Sequence, residues 1–104
     1  MNMQWIRQEV IRQSYEISEH ALQECRDEDI TLEVLDHVLL HGEILEKYEE
    51  REDPRGERCL VLGHTPNGDP VHVVVMEDQD GMKVVTAYLP KPPKWVDERT
   101  RRKK

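Results

Sequence analysis

The residues most able to do chemistry in this sequence are histidines and hydroxyl-bearing side chains close to its C-terminal end. His72 interrupts the valine run VHVVV, and Thr86 and Tyr88 lie in TAYL, just before a proline-rich segment. An imidazole titrates near neutral pH, so His72 beside Tyr88 and Thr86 is a candidate general acid or base. A histidine within a valine run is equally typical of a hydrogen-bonded residue inside a sheet. Both interpretations of His72 stay open at this stage.

Three further histidines have spacings that deserve a chemical interpretation. His20 follows Ser18 at the start of a helical pattern, where a positive charge is unfavourable, so the imidazole has either a catalytic duty or backbone hydrogen bonds. His37 and His41 lie four residues apart on another helix, a spacing that can hold a metal ion. No third ligand lies near them in the sequence, so we expect two solvated histidines and no metal site.

The C-terminal segment WVDERTRRKK combines one tryptophan with several basic side chains, Arg99, Arg101 and Arg102 among them. Such a segment can bind RNA phosphates while Trp95 stacks on a base. The alternative is a solubilising tail with Trp95 packed on the sheet, and for Trp95 we expect packing. Residues 91–104 carry seven basic and two acidic side chains, whereas the whole chain has a net charge of −7. The body of the protein is therefore acidic and would repel a polyanion.

The apolar spacing changes near Gly42 from the period of helices to that of strands. Ser18 and Thr31 have the positions of helix N-caps, and Gly42 that of a left-handed residue after a helix. The pattern predicts helices over residues 3–13, 19–29 and 32–41. It predicts strands over residues 43–50, 58–65, 71–78 and 82–89.

Short turns at residues 66–70 and 78–81 require antiparallel neighbours. We therefore predict an α+β fold, with N-terminal helices packed on one face of a four-stranded antiparallel sheet. One domain is expected over 1–104, with a helical part (1–42), a sheet (43–89) and a proline-rich arm with a basic tail (90–104).

The alternation of side chains between faces extends this prediction to the register. If Met76 lies near Met82, His72 lies near Thr86 or Tyr88 on one face. The opposite face is then purely apolar and should be the one that packs on the helices. Its predicted members are Val71, Val73, Val75, Val85, Ala87 and Leu89.

Several functional classes lack their sequence signatures here. The chain has no phosphate-binding glycine loop, no GxSxG and no HExxH motif. Cys25 and Cys59 form no CxxC pair, so we expect two thiols in a reducing compartment. No apolar run approaches the length of a membrane helix, and the first residues lack a signal-peptide core. We expect a cytoplasmic protein that needs no cofactor and contacts no membrane.

Five segments in a fixed order resemble a known bacterial family. They are SEHAL (18–22), HGEILEKY (41–48), CLVLG (59–63), PVHVVV (70–75) and VTAYLPKPPKW (85–95). Together they resemble the family called domain of unknown function 4258, over residues 17 to 102. Its members are distantly similar to small toxins of the RelE, BrnT and MqsR type, which are α+β messenger-RNA interferases. Genes of the family often lie beside zinc-finger antitoxins similar to MqsA.

The resemblance implies particular polar and structural positions. The polar positions that match are His20, Glu43, Tyr48, His72, Thr86, Tyr88 and Trp95. The structural positions that match are Gly42, Cys59, Gly63, Pro70 and Pro90. The second helix departs from the pattern, because Glu24 and Glu28 stand where many members have arginines and Asp29 stands where they have glycine.

From these observations we expect a toxin-like component of a bacterial type II toxin–antitoxin module, acting as a metal-independent RNA endonuclease. His72 or His20 would serve as acid or base, Tyr88 and Thr86 would assist, and the arginines of the tail would bind phosphate. Its partner would be an MqsA-like antitoxin. The alternative is a non-catalytic interaction module that keeps the fold and docks a basic partner protein on its acidic helices.

Overall fold

A computed structural model of the chain describes residues 1–48 and 57–102, and in this part the fold is α+β, as predicted. The helices are α1 (Met3–Ile11), α2 (Glu19–Asp27) and α3 (Leu32–His41). The strands are β1 (Glu16–Ile17), β2 (Glu43–Tyr48), β3 (Arg58–His64), β4 (Pro70–Asp78) and β5 (Gly81–Tyr88). The predicted end of β2 at residues 49 and 50 lies outside the described residues.

The sheet has five strands within the described residues, so the prediction of four strands was wrong. Its order is β1-β5-β4-β3-β2, and the missed strand, β1, pairs in parallel with β5 through Glu16 and Ile17. Two residues are too few to show a strand period, so the sequence pattern could not reveal it. The predicted helix over 3–13 is also shorter, because α1 ends at Ile11 and Gln13 adopts a φ of 57°.

The helix starts follow from their caps. Ser18 Oγ accepts a hydrogen bond from the Ala21 amide at 3.0 Å, and Thr31 Oγ1 accepts one from the Val34 amide at 3.1 Å. These bonds satisfy amides that have no partner inside the helix. The prediction of Ser18 and Thr31 as N-caps is confirmed.

The pairing of β4 with β5 contains a bulge, which the prediction from alternating side chains did not include. His72 lies opposite Tyr88, as predicted, but Met76 pairs with Lys83 instead of lying near Met82, because the register shifts between Val74 and Val75. The bulge moves Val84 to the buried position expected for Val85. The predicted faces of β5 are therefore correct between the bulge and Tyr88, the part that pairs near His72, and wrong on the other side of the bulge.

One face of the sheet packs on the helices and forms the larger apolar core. The closest packing occurs where α3 crosses β3, because a Cβ atom on Gly63 would lie 2.7 Å from Val38 Cγ1 and 2.9 Å from the Val38 carbonyl oxygen. Only a glycine allows this approach. The sheet contributes Cys59, Val61, Val71, Val73, Val75, Met82, Val84 and Ala87 to this core, and the helices contribute Ile6, Val10, Ala21, Cys25, Leu35, Val38 and Leu39.

Gly42 connects α3 to β2 in a way that differs from the prediction. Its φ of −81° and ψ of −174° are extended, so the predicted left-handed conformation was wrong. A Cβ atom at this position would lie 2.6 Å from the Val38 carbonyl oxygen and 2.7 Å from that of Leu62. Gly42 is therefore required for close packing of backbone on backbone and not for its freedom at positive φ.

The C-terminal arm, residues 90–102, covers the other face of the sheet. Residues 92–94 form a turn, and the Trp95 amide donates to the Lys91 carbonyl at 3.1 Å. The prolines at 92 and 93 therefore do not hold the arm in an extended conformation at this point. The turn brings Trp95 back onto the sheet, where its side chain is 1% exposed. The predicted packing of Trp95 is confirmed, and β3 is buried on both faces as a result.

None of the helices in the described part of the chain has the length and apolar character needed to cross a membrane.

The contact between α3 and β3 predicts the effect of Gly63→Ala. We expect this change to lower the free energy of unfolding by about 1–3 kcal/mol, because the added methyl group must displace α3 from the sheet. Urea denaturation followed by circular dichroism measures it. Glu77→Ala, on an exposed position of β4, should change the same quantity by less than about 0.5 kcal/mol. Equal effects of the two changes would contradict this account of the packing.

Candidate functional site

The arm is attached to the sheet by a chain of hydrogen bonds that passes through His72. Trp95 Nε1 donates to Tyr88 Oη at 3.1 Å, and Tyr88 Oη lies 3.2 Å from His72 Nδ1. His72 Nε2 lies 2.7 Å from the carbonyl oxygen of Glu98. A carbonyl only accepts, so Nε2 carries the proton, and Tyr88 then donates to Nδ1. We call these four residues the His72 chain.

The His72 chain leaves no imidazole nitrogen free. The side chain is 0% exposed, and Trp95 packs edge-on against it with ring centroids 4.3 Å apart. Burial lowers the pKa of His72 below its usual value, because a charged imidazole is poorly solvated there, and the carbonyl of Glu98 opposes this shift. The neutral ring therefore holds the arm in place, and acid–base work by His72 would require these bonds to open.

The other end of the arm is held by ion pairs with β2. Arg101 makes a bidentate contact with Glu46, with Nε 2.9 Å from Oε2 and Nη2 2.8 Å from Oε1, and it donates to Tyr48 Oη at 2.6 Å. Its guanidinium also lies 4.6 Å from the centre of the Trp95 ring. Arg99 forms an ion pair with Glu43 through its Nη1 and Glu43 Oε1. Two of the three arginines predicted to bind phosphate are thus already paired with carboxylates.

A cleft of about 370 Å³ lies between the arm and the sheet. Arg58 opens β3 beside Tyr48, the last residue of β2, and Lys94 faces them from the arm with its Nζ 5.7 Å from the centre of the Tyr88 ring. Arg58 Nε is buried and has no hydrogen-bond partner among the described residues. The complete lining is Tyr48, Arg58, Val74, Thr86, Tyr88, Lys94 and Arg101.

Charge and hydrogen bonding set the protonation states around this cleft. Burial, together with the bond to Glu46, raises the pKa of Tyr48 to about 12, and burial also raises that of Tyr88. The hydrogen bonds from Arg101 lower the pKa of Glu46. At neutral pH the cleft therefore presents cations and neutral hydroxyl groups, an arrangement that binds an anion.

The remaining predicted site residues lie in different surroundings. His20 is exposed on α2, with Nε2 3.1 Å from Glu24 Oε1. Glu24 also accepts from the Ala87 amide at 3.1 Å, on the edge of β5 that β1 does not cover. Thr86 and Tyr88 line the cleft, whereas His72 is buried beneath Trp95 of the arm and His20 is not among the lining residues.

The rest of the histidines form contacts within the fold. His37 Nδ1 lies 3.0 Å from the carbonyl oxygen of His64, and the ring centroids of His37 and His41 are 4.7 Å apart. His64 Nε2 is 2.7 Å from Glu98 Oε2, so Glu98 contacts a histidine through its carboxylate as well as through its carbonyl. In the parts of the chain that the structure describes, no three His, Cys, Asp or Glu residues are grouped so that they could hold a metal ion.

Sequence reasoning missed Arg58, Lys94 and Glu46. A signal for Arg58 existed, because β3 and β4 pair without a shift and Arg58 has the same parity as His72 and Val74 on that face. No such signal existed for Glu46, since a register shift between Ile44 and Glu46 breaks the alternation. Lys94 reaches the cleft only because of the turn in the arm.

The lowered pKa of His72 makes stability depend on pH. A folded-state pKa below the unfolded value of about 6.5 gives stability that is complete above that value and is lost as the pH falls through the folded-state pKa. We expect the free energy of unfolding to fall between pH 7.5 and about pH 5.5, and His72→Asn should reduce this fall. Urea denaturation at several pH values measures it, with His41→Asn as an exposed control. Parallel profiles for the wild type and His72→Asn would contradict the assignment.

Comparison with known proteins gives one match. No curated protein and no solved structure matches the chain. The family model described as "Domain of unknown function (DUF4258)" matches residues 17–89, which begin within β1 and include every helix and strand that follows it. The cleft receives five strand residues from this span, and the arm adds Lys94 and Arg101 from beyond it. Because the match extends over more than half of its length, the chain belongs to the family called domain of unknown function 4258.

Proposed function

We propose that the protein acts on single-stranded RNA, as a RelE-like toxin component of a bacterial toxin–antitoxin module, and that the cleft between arm and sheet holds the RNA phosphate. One observation supports this above the others. On a chain with a net charge of −7, Arg58, Lys94 and Arg101 come together with three hydroxyl groups in a single cleft. Arginines and hydroxyl groups are the usual protein contacts of nucleic-acid phosphates.

The proposed reaction is metal-independent cleavage by the neighbouring 2′-hydroxyl group. The 2′-oxygen bonds to phosphorus, the bond from phosphorus to the 5′-oxygen breaks, and the products are a 2′,3′-cyclic phosphate and a 5′-hydroxyl end. Arg58 and Lys94 stabilise the charge that develops on the phosphate oxygens, and Arg101 holds Glu46 and Tyr48 in position. The reaction needs no oxidant, reductant or second substrate.

The protons in this reaction require an acceptor and a donor beside the cleft. Glu46, which is ionised and bonded to both Arg101 and Tyr48, accepts the proton of the 2′-hydroxyl. Tyr48 is protonated at neutral pH and gives its proton to the 5′-oxygen, after which the proton on Glu46 returns it to the phenol. The earlier hypothesis, with His72 or His20 as acid or base and Tyr88 assisting, requires the His72 chain to open or a histidine that does not line the cleft. Glu46 and Tyr48 lie outside the His72 chain and have only to exchange their mutual hydrogen bond for bonds to the RNA.

A non-catalytic interaction module is the second candidate. The observation that favours it is the pairing of Arg99 with Glu43 and of Arg101 with Glu46, which removes two cations of the tail from contact with RNA. In that case the acidic helices would dock a basic partner protein. For the first candidate, the partner would be a zinc-finger antitoxin similar to MqsA.

The cleavage proposal is tested with purified protein and end-labelled single-stranded RNA in the presence of EDTA. We expect cleavage that leaves 2′,3′-cyclic phosphate ends. Arg58→Gln should slow it by about 10²-fold, since it removes one stabilising group from the phosphate. Arg26→Gln, an exposed arginine on α2, should leave the rate unchanged and serves as the matched control.

Expression in a bacterium gives an independent measurement. The wild type should arrest growth, and Arg58→Gln should relieve the arrest at an equal level of folded protein. A folded protein that neither cleaves RNA nor slows growth would exclude the toxin proposal and leave the interaction module.

A further inference from the structure

We infer that the cleft binds one phosphate group of its ligand, through Arg58, Lys94 and Thr86, and does not follow a run of successive phosphates. The ligand class is a nucleotide unit with a single engaged phosphate. This inference rests on the proposed action on RNA and specifies how the same site selects its ligand.

Two residues of the cleft already use hydrogen-bond donors within the fold. Arg101 spends its Nε and Nη2 groups on Glu46 and Tyr48. The Tyr88 hydroxyl accepts from Trp95 and donates to His72, so its proton is used as well.

Three other residues of the cleft lining have donors without a partner among the described residues. Arg58 Nε is buried without a partner among the described residues, and in the same part of the chain Lys94 makes no ion pair and the Thr86 hydroxyl no hydrogen bond. They come from β3, the arm and β5, so they surround the cleft instead of lining one side of it. A buried donor without a partner is costly, and a phosphate oxygen would satisfy it.

The charges of the free cations also limit the number of phosphate groups that the cleft can neutralise. Arg58 and Lys94 supply two positive charges, while a phosphodiester carries one negative charge and a phosphomonoester about 1.5 to 2. One phosphomonoester therefore nearly balances the two free cations, and one phosphodiester balances one of them. A volume of about 370 Å³ is also near the lower end of the range of about 300–1,000 Å³ for ligand pockets.

The charged groups around the cleft are acidic or already paired. Glu43 pairs with Arg99, and Glu98 contacts His64. A second phosphate would meet few free cations there, apart from Arg102 at the end of the described arm.

The test measures the affinity for oligouridylates of 4, 8 and 16 nucleotides as a function of salt. For single strands, the slope of log K against log salt is about −0.7 for each phosphate charge that is neutralised. We expect a slope of about −0.7 for the 8- and 16-nucleotide chains alike, because both would have the same single phosphate neutralised. Uridine 3′-monophosphate and the dinucleotide UpU, used as competitors, show whether a monoester or a diester is preferred.

Lys94→Gln is the main variant, because Lys94 is exposed and its replacement leaves the buried core intact. It should weaken binding by about 10- to 100-fold, as expected for the loss of a charged hydrogen bond, and leave the slope near −0.7, because Arg58 still neutralises the same phosphate. Thr86→Val, with nearly the same shape, should weaken binding without changing the slope. Arg26→Gln should change neither quantity.

The outcomes separate this inference from the proposed function. A slope that becomes steeper with chain length, and returns to about −0.7 in Arg102→Gln, would show that the arm follows several phosphates and would overturn the inference while RNA binding stands. Binding of long RNA that is unaffected by Lys94→Gln and Thr86→Val would overturn it as well. If no oligonucleotide or mononucleotide binds to the folded protein, both the proposed function and the inference fail.

Discussion

The hydrogen bond between the buried imidazole of His72 and the carbonyl of Glu98 determines how the C-terminal arm meets the sheet. A polar ring at the centre of a valine-rich strand is costly unless both nitrogens are bonded, and one of them is bonded only when the arm lies across the sheet. The arm in turn buries Trp95, whose indole N–H requires the Tyr88 hydroxyl. Each group thus supplies the partner that another group needs, so the arm and the second face of the sheet are stable together.

The position of the cleft is a consequence of this attachment. The turn at residues 92–94 places Trp95 over His72, and the chain that continues from it brings Arg101 to Glu46 on the far strand of the sheet. Lys94 is thereby held opposite Arg58. A site that contains two elements so distant in sequence is assembled only when the fold is complete. This arrangement also explains why an acidic chain can present a small cationic surface.

The tail arginines have a different role from the one that their sequence suggested. In WVDERTRRKK the basic residues look like a single cationic segment, whereas in the structure Arg99 and Arg101 fasten the arm to β2. Exposed ion pairs contribute little stability individually, about 0–1 kcal/mol. Their effect here is on position, because a bidentate guanidinium fixes the direction of the arm over the cleft.

The sequence by itself determined the α+β class, the helix caps at Ser18 and Thr31, and the position of His72 near Thr86 or Tyr88, because these depend on local chemistry and on the two-residue period of strands. It also predicted that Trp95 packs. Only the tertiary structure decided the parallel strand β1, the two register shifts and the return of the arm, since each depends on contacts between distant residues. The same applies to the cleft, because the parity of a strand shows which face a side chain occupies and not which distant residues share that face. Arg58 was therefore within reach of sequence reasoning, whereas its neighbours Lys94 and Glu46 were not.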